Sequence, residues 1–307
     1  MAKKSGATKY NLELAEFLRT GGRKIPASLA AKAKAATRSM LLGGAAAEMQ
    51  IEGARLYSEL KGGAPIAVDS AANRKTLDAI LRLHRRAASQ KLPMPKVTPA
   101  LFPVSGGFSG TVFPPFFTDQ VPYLDPKNVT NPKVQCSANE NGQISASVVT
   151  SEKPGFNHGK AFALVQVPLS SPGPGTFTVS ATPTYSFEWS ANWLDSYYVL
   201  SRGQITLGII GETEGAAPEY LTAQEDYVKW QSNSLAPAPQ FAFQFGVQQS
   251  LSVSLYVNGP LFCNCYLVVC VEAAGIGWPG SLAVAMAWAT VPSISYAFVE
   301  ELAAPIF

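Results

Sequence analysis

The 307-residue chain is 47% apolar and 15% charged, which allows one to three folding units. Its charge is divided unevenly. Residues 1–96 hold 18 of the 24 basic side chains against seven acidic ones (18 − 7 = +11), and the remaining 211 residues carry 6 − 14 = −8. No apolar run reaches the length of a signal peptide or of a membrane span, so the sequence predicts neither export by that route nor a transmembrane segment.

The first third, residues 1–92, is rich in Ala, Leu, Lys and Arg and predicts a helical region. Gly pairs and a Pro punctuate it. The predicted helices run from Asn11 to about Thr20, from Pro26 to Leu42, from Ala45 to Leu60, and from Asp69 or Ser70 to about Ser89.

The basic side chains of this region predict a polyanion partner, because neutralised phosphates release condensed counterions. Aromatic residues for base stacking are scarce here, so we expect sequence-independent binding. The candidate nucleic-acid ligands are Lys3, Lys4, Lys9, Arg19, Arg23, Lys24, Lys32, Lys34, Arg38, Arg74, Lys75, Arg82, Arg85 and Arg86. The alternative reading is a solvated helix surface, with Glu48, Glu52 and Glu59 pairing with Arg55 and Lys61.

A connector and a β-rich domain follow. Residues 93–115 are rich in Pro and Gly and predict an extended linker, and residues 116–307 predict an antiparallel sandwich of jelly-roll type. Alternating apolar residues mark many of the strands. The predicted strands are 143–150, 160–167, 176–179, 185–189, 197–200, 204–209, 251–257, 261–271 and 282–290, and residues 216–229 are expected to form a short helix or loop.

Residues that could carry chemistry are few. His158 is the single histidine of the β-rich part, and its Gly-rich and Pro-rich surroundings predict a solvated turn, with no catalytic elbow nearby. Asp119 and Asp125 could share an oxygen-liganded cation such as calcium, although solvated carboxylates are the commoner outcome. The four cysteines, Cys136, Cys263, Cys265 and Cys270, are expected to be reduced and mostly buried. We therefore predict no catalytic residues, no metal and no cofactor.

A basic N-terminal region, a Pro/Gly-rich connector and a charge-poor jelly roll together resemble the coat proteins of small non-enveloped icosahedral plus-strand RNA viruses, such as the sobemovirus and tombusvirus types. The segment GWPGSLAVAMAWATV, Gly277 to Val291, is similar to the final strand of those shells. The resemblance implies a structural protein of the virion, made in the host cytoplasm, that self-assembles and packages RNA. Expected exposed contact residues are Phe113, Phe116, Phe117, Tyr123 and residues 303–307.

Two other classes stay open. A lectin-like or adhesin-like module would use a sugar-stacking platform made of Trp189, Trp193, Tyr197, Tyr198 and Trp230, although aromatic residues of sandwiches more often pack in the core. A pore former would insert residues 241–257 into a membrane. Glycan binding and liposome leakage, respectively, would reveal these activities.

Overall fold

The computed structural model describes the β-rich part of the chain almost completely and four residues of the first third. The described residues are 31, 35, 37, 38, 107–151, 153, 155–171, 173–192, 199–212, 220–232, 240–259, 261–277 and 282–301. Ala31, Ala35, Thr37 and Arg38 are helical, and they fall within the helix predicted from Pro26 to Leu42. Among the described residues, no helix has the length and apolarity that crossing a bilayer requires.

The described part is mainly antiparallel β-structure. Its fourteen strands are β1 (Gly107–Val112), β2 (Phe117–Leu124), β3 (Lys133–Ala138), β4 (Gln143–Val149), β5 (Gly155–Ser171), β6 (Pro174–Ala181), β7 (Thr184–Asn192), β8 (Leu200–Glu212), β9 (Tyr220–Ser232), β10 (Gln240–Gln248), β11 (Leu251–Asn258), β12 (Leu261–Gly277), β13 (Leu282–Thr290) and β14 (Ile294–Glu300).

These strands form three sheets, and every strand pairing among the described residues is antiparallel. The sheet orders are β1-β14-β6-β11, β10-β7-β13-β4-β3 and β2-β5-β12-β8-β9. Three chain segments pass between the first and second sheets through breaks of two or three residues, at 182–183, 249–250 and 291–293. Pro183 and Pro292 lie in two of these breaks, where a missing N–H interrupts the ladder. The first two sheets are therefore halves of one bent layer.

The third sheet packs against this bent layer, and every second side chain along the strands lies in the space between them. Ile144, Val148, Ile205, Leu207 and Leu251 are all 1% exposed or less, as their predicted inward orientation requires. Their cluster also takes alternate residues of β5 and β12. The shared core thus lies between the two layers.

The chain passes back and forth between the two layers. When β6-β7, β10-β11 and β13-β14 are each counted as one segment, β4 to β14 make eight consecutive segments. Numbered 1 to 8 along the chain, these segments lie side by side in the order 1-8-3-6 in the bent layer and in the order 2-7-4-5 in the facing sheet.

Several sequence predictions are corrected here. Residues 216–229 do not hold a short helix where they are described, because β9 starts at Tyr220 and pairs with β8 along its length, with a register shift at Ile205 and Thr206. The acidic pair Glu225 and Asp226 obscures the alternation in this strand. Phe116 was expected to be exposed but is 4% exposed and packs in the core. Part of the predicted connector, β1, pairs with β14.

Candidate functional site

The outer face of the sheet β2-β5-β12-β8-β9 is buried, although it points away from the shared core. We call it the anchoring face. Apolar residues form a cluster in its middle, separate from the shared core. Polar and charged residues surround that cluster, and nearly all members of the face are less than 9% exposed. Its main residues are Asp119, Val121, His158, Lys160, Phe162, Leu164, Gln166, Arg202, Asn264, Tyr266, Val268, Cys270 and Glu272.

Thr37 contacts the anchoring face through a buried hydrogen-bond triangle. Its hydroxyl donates to Gln166 Oε1 at 3.0 Å, and Asn264 Nδ2 donates to Thr37 Oγ1 at 2.6 Å and to Gln166 Oε1 at 2.7 Å. All three residues are at most 1% exposed. Two amide side chains on adjacent strands are costly to bury without partners, so the hydroxyl from the first third contributes to their burial.

Arg38 forms a two-point ion pair beside this triangle. Its Nε donates to Asp119 Oδ2 at 2.7 Å and its second guanidinium nitrogen donates to Asp119 Oδ1 at 3.1 Å. The Asp119 side chain is 2% exposed, whereas that of Arg38 is 45% exposed. The fork of a guanidinium matches the two carboxylate oxygens, and such bidentate pairs are geometrically specific. Consecutive residues of one helix therefore contact β2, β5 and β12.

A cluster of charges occupies the other end of the anchoring face. Glu272 lies opposite Lys160 on one neighbouring strand and opposite Arg202 on the other. Its Oε2 accepts from Arg202 Nε at 2.7 Å and lies 3.6 Å from Lys160 Nζ. His158, which is fully buried, lies 2.7 Å from Glu272 Oε1 through Nε2 and 3.1 Å from Asp125 Oδ2 through Nδ1. Four adjacent strands or their ends are thus joined by five charged or titratable groups.

The protonation of this cluster follows from its contacts. Burial alone lowers the pKa of His158, but the hydrogen bonds and charges of Asp125 and Glu272 outweigh it and raise the pKa above the ordinary value. Burial alone raises the pKa of Glu272, but His158, Lys160 and Arg202 hold it at about 2. The pKa of Asp125 is likewise lowered by His158 despite burial. The geometry therefore favours an imidazolium that donates to two carboxylates.

This arrangement corrects the prediction for His158. The residue lies in β5 and is fully buried, so it is not a solvated turn residue. Both of its ring nitrogens face carboxylates, which leaves neither nitrogen directed at a substrate. Asn128 further fixes this strand, accepting from the His158 N–H at 2.7 Å and donating to the His158 carbonyl at 2.9 Å. The cluster is built to hold strands together.

Asp119 and Asp125 do not share a cation. Asp119 binds Arg38 and Asp125 binds His158. The two aspartates are six residues apart on an extended segment, which separates them by roughly 20 Å at about 3.3 Å per residue. In the part of the chain that the structure describes, no three or more His, Cys, Asp or Glu side chains are arranged so that they could hold a metal ion together.

The cysteines are free thiols. Cys263, Cys265 and Cys270 are buried and Cys136 is half-buried. Burial raises the pKa of the Cys263 thiol to about 12. The buried thiols therefore pack as small apolar groups, as predicted.

The second outer surface belongs to the sheet β1-β14-β6-β11. We call it the hydroxyl face. Its side chains are largely exposed or half-buried and are mostly hydroxyl-bearing: Ser109, Thr111, Thr176, Thr178, Ser180, Ser252, Ser254, Tyr256, Ser295, Ala297 and Val299. Hydroxyl pairs link its strands, such as Thr178 with Ser254 at 2.9 Å and Thr111 with Ser295 at 3.0 Å. The four strands contain a single charged residue, Glu300 at the end of β14.

The remaining predicted site residues are placed only in part. Of the fourteen nucleic-acid ligands, Arg38 is described and the other thirteen lie outside the described residues. In the predicted sugar platform, Trp189 packs against the shared core. Trp193, Tyr197 and Tyr198 lie outside the described residues, as does the side chain of Trp230. The predicted membrane-inserting stretch forms β10 and β11, and Leu251, Val253, Leu255 and Val257 of β11 are core residues.

No protein-family model matches the chain, and no curated protein matches it significantly. A solved structure of TmCBM61 in complex with β-1,4-galactotriose is 8% identical with a TM-score of 0.15, over 55% of this chain and 88% of that one. A solved isomalto-dextranase of Arthrobacter globiformis T6, complexed with panose, is 10% identical with a TM-score of 0.16, over 60% of this chain and 35% of that one. At these TM-scores neither similarity carries an argument about this chain.

The anchoring face was not predicted as a site from the sequence. Its polar members sit at alternate positions of β5 and β12, as in His158, Lys160 and Gln166, whose inward neighbours are apolar. A strand with apolar residues on one side and a few polar ones on the other ordinarily reads as half-exposed. The available signal was Glu272, the one charged residue of β12, a strand whose other polar groups are Asn264 and the Tyr266 hydroxyl.

Proposed function

We propose that the chain is the coat protein of a small non-enveloped icosahedral RNA virus, a jelly roll that assembles with copies of itself and packages RNA through its basic first third. The protein would be made in the host cytoplasm and reside in the virion. It would act by charge neutralisation and self-association, with no catalytic step.

The observation that carries the proposal is the strand order combined with the charge division. The orders 1-8-3-6 and 2-7-4-5 are those of two Greek keys wrapped into a jelly roll, an architecture of viral capsid domains and also of lectins and cupins. Residues 1–96 carry +11 and the rest −8, which favours the RNA-packaging member of that group. Fold alone does not distinguish these functions, so the charge division is essential to the choice.

The surface of the β-rich part supports self-association. The hydroxyl face has almost no charge, so two copies can approach without repulsion or the desolvation of ions. Phe113, Phe243 and Tyr256 are each about half exposed, at 49%, 51% and 49%. Phe243 also stacks on Phe245, which is 37% exposed, with ring centroids 6.1 Å apart, and contiguous exposed apolar groups are typical of contact sites between proteins. Trp189, the one member of the predicted sugar platform whose side chain is described, packs against the shared core.

Size-exclusion chromatography with light scattering, run at low and high salt with absorbance at 260 and 280 nm, tests the proposal. We expect particles far heavier than the 32.6 kDa chain that carry nucleic acid. The matched control replaces Lys3, Lys4, Lys9, Arg19, Arg23 and Lys24 by Gln, and it should form particles or oligomers with less nucleic acid. A chain that remains monomeric with and without added RNA would contradict the proposal.

A further inference from the structure

The contacts of Thr37 and Arg38 join the first third of the chain to one of the two outer sheet faces. We infer that Arg38 is a positioning residue that seats the basic first third on the anchoring face, and that this face is the side of the molecule turned toward the packaged RNA. The inference rests on the proposed function for its RNA partner. The contacts of Arg38 with Asp119 and of Thr37 with Gln166 and Asn264, which we call the seat, do not depend on that function.

The seat is specific in both shape and charge. Asp119 is almost fully buried and receives two hydrogen bonds from one guanidinium, and Thr37 enters a buried triangle with Gln166 and Asn264. The Arg38 guanidinium also lies 3.5 Å from the Gln120 carbonyl oxygen. A guanidinium held by a carboxylate in this way has its charge compensated before any phosphate arrives. Arg38 therefore anchors the region instead of counting toward its phosphate contacts.

The seat also fixes where the neighbouring cations can be. Lys34 and Lys32 are four and six residues from Arg38, so their Cα atoms lie within roughly 14 Å and 22 Å of it even in a fully extended chain. The distance limit comes from covalent connectivity alone. The Cα atoms of two basic residues are thereby kept within these distances of Arg38, which contacts β2, whereas the strands of the hydroxyl face contain the single charged residue Glu300. A polyanion is attracted to the basic residues and gains little from the hydroxyl face.

A charge swap tests the seat. The variants are Arg38→Asp, Asp119→Arg and the double variant, with limited proteolysis of the first third as the readout. We expect each single variant to raise the cleavage rate at least tenfold and the double variant to return it to within threefold of the original protein. A double variant that is cleaved as fast as the single ones, although its circular dichroism matches that of the original protein, would overturn the seat.

Binding of poly(U) across a salt series tests the role of Arg38. In Asp119→Ala the guanidinium is released, so we expect one additional phosphate contact and a steeper dependence of log K on log salt, by about 0.7. If Arg38 already binds phosphate, the slope will not change and the positioning role is wrong. Proteolysis of the same variant confirms the release independently of RNA.

Photo-crosslinking tests which of the two sheet faces is turned toward the RNA. A photoreactive tyrosine analogue replaces Tyr123, four residues from Asp119 along β2 and opposite Lys160, or Tyr256, on the hydroxyl face. With radiolabelled poly(U) we expect at least fivefold more crosslinking from position 123, and equal or greater crosslinking from position 256 would overturn the assigned direction. If the original protein binds no poly(U) even at low salt, the proposed function and the RNA-facing direction both fail, while the charge swap still decides the seat.

Discussion

The anchoring face and the hydroxyl face are the outer surfaces of two sheets in the same sandwich, yet they differ in charge and burial. The first combines an apolar cluster with Asp119, His158, Lys160 and Glu272, all buried. The second has exposed and half-buried Ser and Thr side chains and two carboxylates at its margin, Glu300 and Glu301, the latter accepting a hydrogen bond from the Tyr256 hydroxyl. Charged residues on a sheet surface are ordinarily exposed to solvent. Those of the anchoring face are buried, which indicates that they make contacts within the chain. We propose the nearly uncharged surface for contacts between chains.

Glu272→Gln is the substitution with the largest expected effect. It removes the carboxylate that compensates His158, Lys160 and Arg202, and breaking a buried ionic cluster on one side costs about 3–5 kcal/mol. Urea unfolding measures the loss. The control, Ser254→Ala on the hydroxyl face, should change the free energy of unfolding by no more than about 0.5 kcal/mol. Equal losses from the two variants would remove the contrast between the faces.

The pH dependence of stability should come from the anchoring face. The raised pKa of His158 contributes stability that is complete below pH 6.5 and is lost as the pH rises through the higher folded-state value. The lowered pKa of Glu272 contributes stability that is present above pH 4.5 and is lost as the pH falls toward about 2. We therefore expect the highest urea midpoint between about pH 4.5 and 6.5.

His158→Gln is the matched control for that profile. It should flatten the decline above pH 6.5, since Gln has no proton to lose. A decline above pH 6.5 that is as steep in His158→Gln as in the original protein would assign the pH dependence to other groups.

Ser254→Lys should affect assembly more than folding. The exposed side chain adds a charge to the centre of the edge strand β11, and like charges would then meet wherever two hydroxyl faces associate. We expect the concentration for half-assembly to rise about tenfold, equivalent to about 1.4 kcal/mol, while the free energy of unfolding changes by at most about 0.5 kcal/mol. The control is Gln135→Lys on β3, also exposed. Light scattering that shows the same shift for both variants would argue against the hydroxyl face as a contact.

Thiol labelling gives the smallest perturbation. Cys270 lies on the anchoring face and is 6% exposed, whereas Ser254→Cys would introduce an exposed thiol on the hydroxyl face. Because only exposed thiols react without local opening, we expect the introduced thiol to react roughly a hundredfold faster with maleimide. Peptide mass spectrometry distinguishes the sites. Comparable rates would mean that the anchoring face is open in solution.

The strands with clean alternation were the predictable part of the fold. The bounds of β4 and β13 agree with the predicted segments to within one residue, and β11 has the predicted inward residues Leu251, Val253, Leu255 and Val257. Strands β1, β2, β3, β10 and β14 were missed. Gly or Pro interrupts β1, β2 and β10, and the alternating apolar residues of β3, Val134, Cys136 and Ala138, are small. His158 was misread for the same reason, since its neighbours Asn157 and Gly159 resemble a turn in sequence.

By itself, the sequence determined the division of charge, the change from helical to strand composition, and the inward residues of the long strands. These depend on residue type and on periods of a few residues, which the chain carries locally. Only the tertiary structure decided the layer order, the pairing of Glu272 with residues 70 and 114 positions away, and the contact between Arg38 and Asp119. Those contacts join groups distant in sequence, and no local period records which buried charge meets which partner.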